Sequence, residues 1–134
     1  MKNKIQFPSK IENISIIERL VDELTQQYQI NSEIYGNMLV SMVEAVNNAI
    51  IHGNKLDENK SVEVEYEIEN GIFTFSIKDE GNGFDYKKLP DPTTPENIEK
   101  PHGRGIFLIS HLVDELSFED NGSKLCVKIK INPS

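Results

Sequence analysis

An α+β fold is the class this chain predicts, with helices gathered on one face of a mixed, mostly antiparallel sheet. Two amphipathic helical stretches come early in the sequence, and most of the alternating stretches come late. Two short turns, Asn70-Gly71 and Asp120-Asn121-Gly122, join neighbouring alternating stretches as hairpins. The length, 134 residues, suits a single domain over 1–134 with a real core and no room for a second.

The elements follow in order. Residues 4–8 (KIQFP) alternate as a short strand, with Ile5 and Phe7 on one face. Ser9 followed by Glu12 has the pattern of a capping box. Behind it Ile14, Ile17, Leu20, Val21, Leu24 and Tyr28 recur at helical spacing, predicting a first helix of roughly 18 residues. Asn31 and Ser32 interrupt it, and Ser32 is placed to cap a second helix that runs to about His52. Gly53 then stands where a C-terminal glycine stops a helix. Val62, Val64, Tyr66 and Ile68 face one way and Glu63, Glu65 and Glu67 the other, the pattern of a half-buried strand. The return strand IFTFSIK puts Phe73, Phe75 and Ile77 on one face. The stretch from Gly81 to Gly103 holds Pro90, Pro92, Pro95 and Pro101, four of the six prolines, and reads as a lid or binding loop. A third helix is expected from near Gly105, followed by the hairpin of residues 115–119 and 124–131.

Composition narrows the class of partner. The formal net charge of −8 argues against direct contact with nucleic acid, which needs a basic footprint. No apolar run approaches a membrane span, and MKNKIQFPSK has no apolar stretch behind its basic residues. The lone Cys126 cannot form an internal disulfide and alternates with lysines, so it reads as an inert thiol. These features predict a cytoplasmic protein with no membrane partner. Few cations are spare, so a phosphate site would lean on backbone N–H groups and a metal.

Three segments carry the candidate chemistry: VEAVNNAIIHGN (43–54), DEGNG (79–83) and GRGIFLI (103–109). In the second helix Met42, Val46, Ala49 and Ile50 form the core stripe. Glu44 and Asn48, four apart, project together on roughly the opposite side. They are either the wet side of an amphipathic helix or the wall of a cleft, and apolar Ile51 between them favours a wall. Asp79 falls on the buried parity of its strand, where a carboxylate is costly unless it finds donors. Two uses fit it: capping the turn that follows, or accepting a hydrogen bond from a ligand amino group such as the adenine exocyclic amine. Gly81 and Gly83 would let backbone approach closely. Gly103 and Gly105 ahead of a helix expose N–H groups at the positive end of its dipole, an anion site or simply a helix start needing room. Arg104 reads as a phosphate contact or a surface cation, and no Cys/His spacing suggests zinc.

Together these segments resemble the three nucleotide-binding boxes of the gyrase, Hsp90, histidine-kinase and MutL (GHKL) ATPase superfamily. Glu44 and Asn48 match its helical Glu and Asn, Asp79, Gly81 and Gly83 its Asp-x-Gly-x-Gly, and Gly103 and Gly105 its helix-opening Gly-x-Gly. The wording VEAVNNAIIHGNK and GRGIFLISHLVDEL is most similar to the small anti-sigma-factor serine kinases. That resemblance implies the two-layer sandwich of the histidine-kinase-like ATPase (Bergerat) type. It also implies an ATP- and Mg²⁺-dependent protein-serine kinase that binds a sigma factor and phosphorylates a small anti-sigma-factor antagonist. The alternative it leaves is a regulatory ATP-binding module of the same fold with little transfer activity.

The implied roles are specific. Asn48 would hold Mg²⁺, Asp79 would read adenine with Gly81 and Gly83 beside it, and Gly103, Arg104 and Gly105 would cradle phosphate. Glu44 would be the general base, and residues from about 84 to 102 would form the lid. The family's basic lid residue has no direct counterpart: Lys100, Pro101 and His102 stand nearby, leaving Lys100 or Arg104 for that contact. A homodimer is likewise implied by the resemblance alone.

Overall fold

The early strand is Asn3–Pro8 (β1), followed by helices Ile14–Tyr28 (α1) and Ser32–Asn48 (α2). Then come strands Ser61–Glu69 (β2) and Ile72–Lys78 (β3), helix Pro101–Leu112 (α3), and strands Glu115–Glu119 (β4) and Lys124–Lys130 (β5). This computed structural model describes residues 2–81 and 101–131, excluding the side chains of residues 101–104 and 121.

The strands lie in the order β1-β2-β3-β5-β4, and every pairing among the described residues is antiparallel. Alternation dictates the register. Ile5, Val64, Ile77, Leu125 and Phe118 stand opposite one another across all five strands, as do Tyr66, Phe75, Val127 and Leu116 across four. A one-residue slip would turn each of those side chains away from the core. The tight β2–β3 turn needs two left-handed residues, and Asn70 (φ 54°) and Gly71 (φ 74°) supply them, as expected for Asn-Gly.

The inward sheet side packs on the helices. Val62, Val64, Phe73, Phe75, Val127 and Ile129 form one cluster with Ile17, Val21, Met38, Met42, Val46 and Ile50. The core stripe read from the second helix is therefore buried as expected. Helix α2 is central, touching α1 and α3. No helix among the described residues is long and apolar enough to cross a membrane.

Four local expectations are corrected. Ser9 does not cap a helix: its hydroxyl donates to the Lys60 carbonyl at 2.8 Å, and a short 3₁₀ turn, Ile11–Asn13, leads into α1. Asn31, rather than Ser32, caps α2 by accepting the Ile34 N–H at 2.9 Å. Gly53 is not a left-handed helix stop, because α2 runs into a π-turn over Ala49–Gly53, closed by the Asn54 N–H on the Ala49 carbonyl. The left-handed residues come later, at Lys55 and Leu56. Finally, α3 begins at Pro101, so Gly103 and Gly105 lie inside it. Proline at the first helical position loses no hydrogen bond there and presets φ.

Candidate functional site

Of the candidate residues, Glu44 and Asn48 lie on α2, Asp79 directly follows β3, and Gly103, Arg104 and Gly105 lie on α3. Glu44 and Asn48 are both half-buried, one helical turn apart on α2. Helix α3 approaches them at Gly105, where an added Cβ would stand 3.5 Å from Glu44 Oε2. The first and third segments thus meet at Glu44. Ile51, which suggested a wall, is 39% exposed.

After Asn48 the π-turn carries Gly53 against Asp79. A Cβ on Gly53 would stand within 3.0 Å of all three carboxyl atoms of Asp79, and one on Gly81 would collide with the Gly53 carbonyl. π-turns inside helices often mark such sites. Here the turn replaces a regular helix end with one that brings a bare backbone onto a carboxylate, joining the first and second segments. Gly53→Ala should destabilise the fold by about 1–3 kcal/mol, the scale of overpacking. Gly36→Ala, in mid-α2 with nothing within 4 Å, is the control and should be neutral or mildly stabilising. Urea unfolding of both variants checks the contrast.

Strand parity turns Asp79 inward as expected, and only 9% of it is exposed. Both uses envisaged for it are compatible. The Gly81 N–H donates to Oδ1 at 2.8 Å, a turn cap, and among the described residues that is the one hydrogen bond to the carboxylate. Among the described residues no donor reaches Oδ2. Burial pushes the carboxyl above its ordinary value of 3.8, opposed by the Gly81 N–H and by the nearby Lys60 charge. Backbone bonds hold its flanks: Asp79 N–H reaches the Ser123 carbonyl at 2.9 Å.

The third segment is partly described. Gly103 and Arg104 lie in the first turn of α3, whose N–H groups lack intrahelical partners. Gly105 lies where α3 comes near Glu44. Gly83, residues 84–100 of the expected lid and the Arg104 side chain lie outside the described residues. Among the described residues no three His, Cys, Asp or Glu side chains converge on one point. The helix-free sheet face has a separate depression lined by Glu65, Thr74, Ser76, Lys124 and Cys126. Its Cys126 thiol is pushed up to about 11, chiefly by burial and then by Glu119, so it stays protonated at neutral pH.

Sequence reasoning missed Asn54, which is 1% exposed and fully hydrogen-bonded. A buried Asn and a loop Asn look alike in sequence. It also missed that Gly53 matters for space and not for conformation.

The chain is similar to known proteins in sequence and in fold. The family described as Histidine kinase-like ATPase domain matches residues 7–131. An Anti-sigma F factor of Clostridium perfringens is 30% identical over 98% of this chain and 97% of its own length. One from Geobacillus stearothermophilus is 30% identical over 92% of this chain and 88% of its own. A crystal structure of the RsbU and RsbW domains of Rv1364c from Mycobacterium tuberculosis superposes with a TM-score of 0.65 over 96% of this chain. The match spans 31% of that longer chain at 14% identity, a likeness of fold.

Proposed function

From the premise that this chain belongs to the histidine kinase-like ATPase domain family, we propose that it is a cytoplasmic ATP-dependent anti-sigma factor. It binds a sigma factor and phosphorylates a serine of a small antagonist protein. The relatives named Anti-sigma F factor support the partner class. One observation carries the reading: the three sequence segments converge on α2 and its π-turn, with Gly105 on Glu44 and Asp79 on Gly53.

The residues divide the work. Asp79, with one oxygen tied to Gly81, turns the other to the adenine amino group. Gly83, outside the described residues, is assigned to the same adenine subsite by the Asp-x-Gly-x-Gly pattern alone. The first turn of α3, through the Gly103 N–H and Arg104, meets phosphate, as the positive end of a helix does. Asn48 fits the cation: one neutral side-chain oxygen suits Mg²⁺, which keeps most of its ligands from water and substrate phosphate. When bound, that ion neutralises charge on the phosphates. Glu44 orients the incoming serine hydroxyl and takes its proton. The serine oxygen forms the new bond to the γ-phosphorus, the bond from that phosphorus to the β–γ bridging oxygen breaks, and ADP leaves. Glu44 favours the kinase over a pure nucleotide sensor, which has no use for a base at that place. The lid from about 84 to 102 and the homodimer belong to the same proposal.

The test mixes the full chain with Mg-ATP and its candidate antagonist and maps phosphoserine by mass spectrometry. A single phosphoserine on the antagonist is expected. Bound ATP without transfer would overturn the kinase and leave the regulatory module. Asn48→Ala should weaken Mg-ATP binding by about tenfold or more while binding without metal changes little, the scale of one lost ligand. Unaltered Mg-ATP affinity would remove Asn48 as the metal ligand.

A further inference from the structure

We infer that Asn54 is a positioning residue for Asp79, setting the base selectivity of the site; this rests on the reading of Asp79 as the adenine contact. Asn54 is the first residue after the π-turn, and its side chain uses both ends of its amide. Oδ1 accepts the Glu80 N–H at 2.7 Å, while Nδ2 donates to Ser9 Oγ at 2.6 Å and to the Ser61 carbonyl at 3.0 Å. These partners settle which way the amide points, because the reverse orientation sets donor against donor at Glu80. Its backbone is equally tied, donating to the Ala49 carbonyl at 2.8 Å and accepting from the Asp57 N–H at 3.0 Å.

The consequence is mechanical. Glu80 directly follows Asp79, so Asn54 clamps the peptide on the C-terminal side of the carboxylate. The Ser123 carbonyl clamps its N-terminal side through the Asp79 N–H. Ser9 anchors the other end of the clamp, donating in turn to the Lys60 carbonyl at 2.8 Å. The Glu80 carboxylate adds a tie by accepting the Ser61 N–H. Through Asn54, the turn that places Gly53 against Asp79 also holds the backbone carrying Asp79. Asn54 is 1% exposed, so it acts on the site through the backbone of Glu80. It fixes where the reading oxygen sits relative to a base lodged beside it.

The test measures dissociation constants of ATP and GTP for the full chain by calorimetry, in the wild type and in Asn54→Ala, Ser9→Ala and Asp79→Asn. Wild type should prefer ATP. In Asn54→Ala the ATP affinity should fall about tenfold, the scale of one hydrogen bond, with GTP affinity unchanged, so that selectivity shrinks. Ser9→Ala should shift the ratio the same way by less, and it decides the matter if Asn54→Ala does not fold. Equal losses for ATP and GTP, or an unchanged ratio in folded variants, would overturn the inference and leave Asn54 a structural residue. If Asp79→Asn collapses the selectivity while the Asn54 and Ser9 variants keep it, the inference alone fails. Wild-type indifference to the base sinks the Asp79 assignment itself, and this inference with it.

Discussion

Asp79→Asn is expected to cost ATP binding about a hundredfold or more, while making the ligand-free fold no less stable at neutral pH. The size follows from donor and acceptor matching. The Gly81 N–H keeps the residue's oxygen engaged, so the asparagine amide would present its NH₂ to the adenine amino group. A charge-assisted acceptor is replaced by a clash of donors, and hydrogen bonds to charged groups are worth about 1.5–3 kcal/mol before that clash is counted.

The stability half follows from linkage. Burial raises the folded pKa of Asp79 above 3.8, so between those values the folded state holds more protons than the unfolded. Its contribution is then most favourable at low pH and is lost as pH rises through the folded pKa. Asparagine does not titrate. The stability of wild type minus Asp79→Asn should therefore fall from about pH 4 upward and level off above the folded pKa. Thermal or urea melts of both proteins across that range check it, and a rising difference would contradict the assignment of burial as the dominant cause.

Glu44→Gln carries the second large effect. Transfer to serine should fall by about 10²–10⁴, the range for a positioned acid or base, with ATP affinity changed only a few-fold. The substitution is nearly isosteric, so Gly105 keeps its place beside residue 44 and loss of α3 packing does not confound the result. Single-turnover transfer from radiolabelled ATP to the antagonist reads the rate. Transfer at the wild-type rate would remove Glu44 as the base.

Much of the fold was legible in sequence because it rests on patterns that a single element reveals. The alternation of Val62, Val64, Tyr66 and Ile68, the Asn70-Gly71 turn and the stripe of Met42, Val46 and Ile50 each declare a face without reference to neighbours. Asp79 was legible for the same reason, since parity with Phe75 and Ile77 carries it inward. What sequence could not show were partners chosen across the fold. Ser9 has the look of a cap but spends its hydroxyl on Lys60, 51 residues away. Gly53 has the look of a helix stop, yet what requires glycine there is the carboxylate of Asp79. Pro101 did carry a local signal for the start of α3, and reading Gly103 and Gly105 as standing ahead of the helix obscured it. Asn54 had no local signal, because its importance lies in three partners from three separate segments.

Glu44, Asn48, Asp79 and the start of α3 are proposed to line one adenine-nucleotide site. Calorimetric titration of the full chain with Mg-ATP tests it most directly, with Asp79→Asn and Glu44→Gln alongside. One saturable site is expected that prefers ATP to GTP, is lost in Asp79→Asn and persists in Glu44→Gln. Absence of nucleotide binding, or binding that Asp79→Asn leaves untouched, would contradict it.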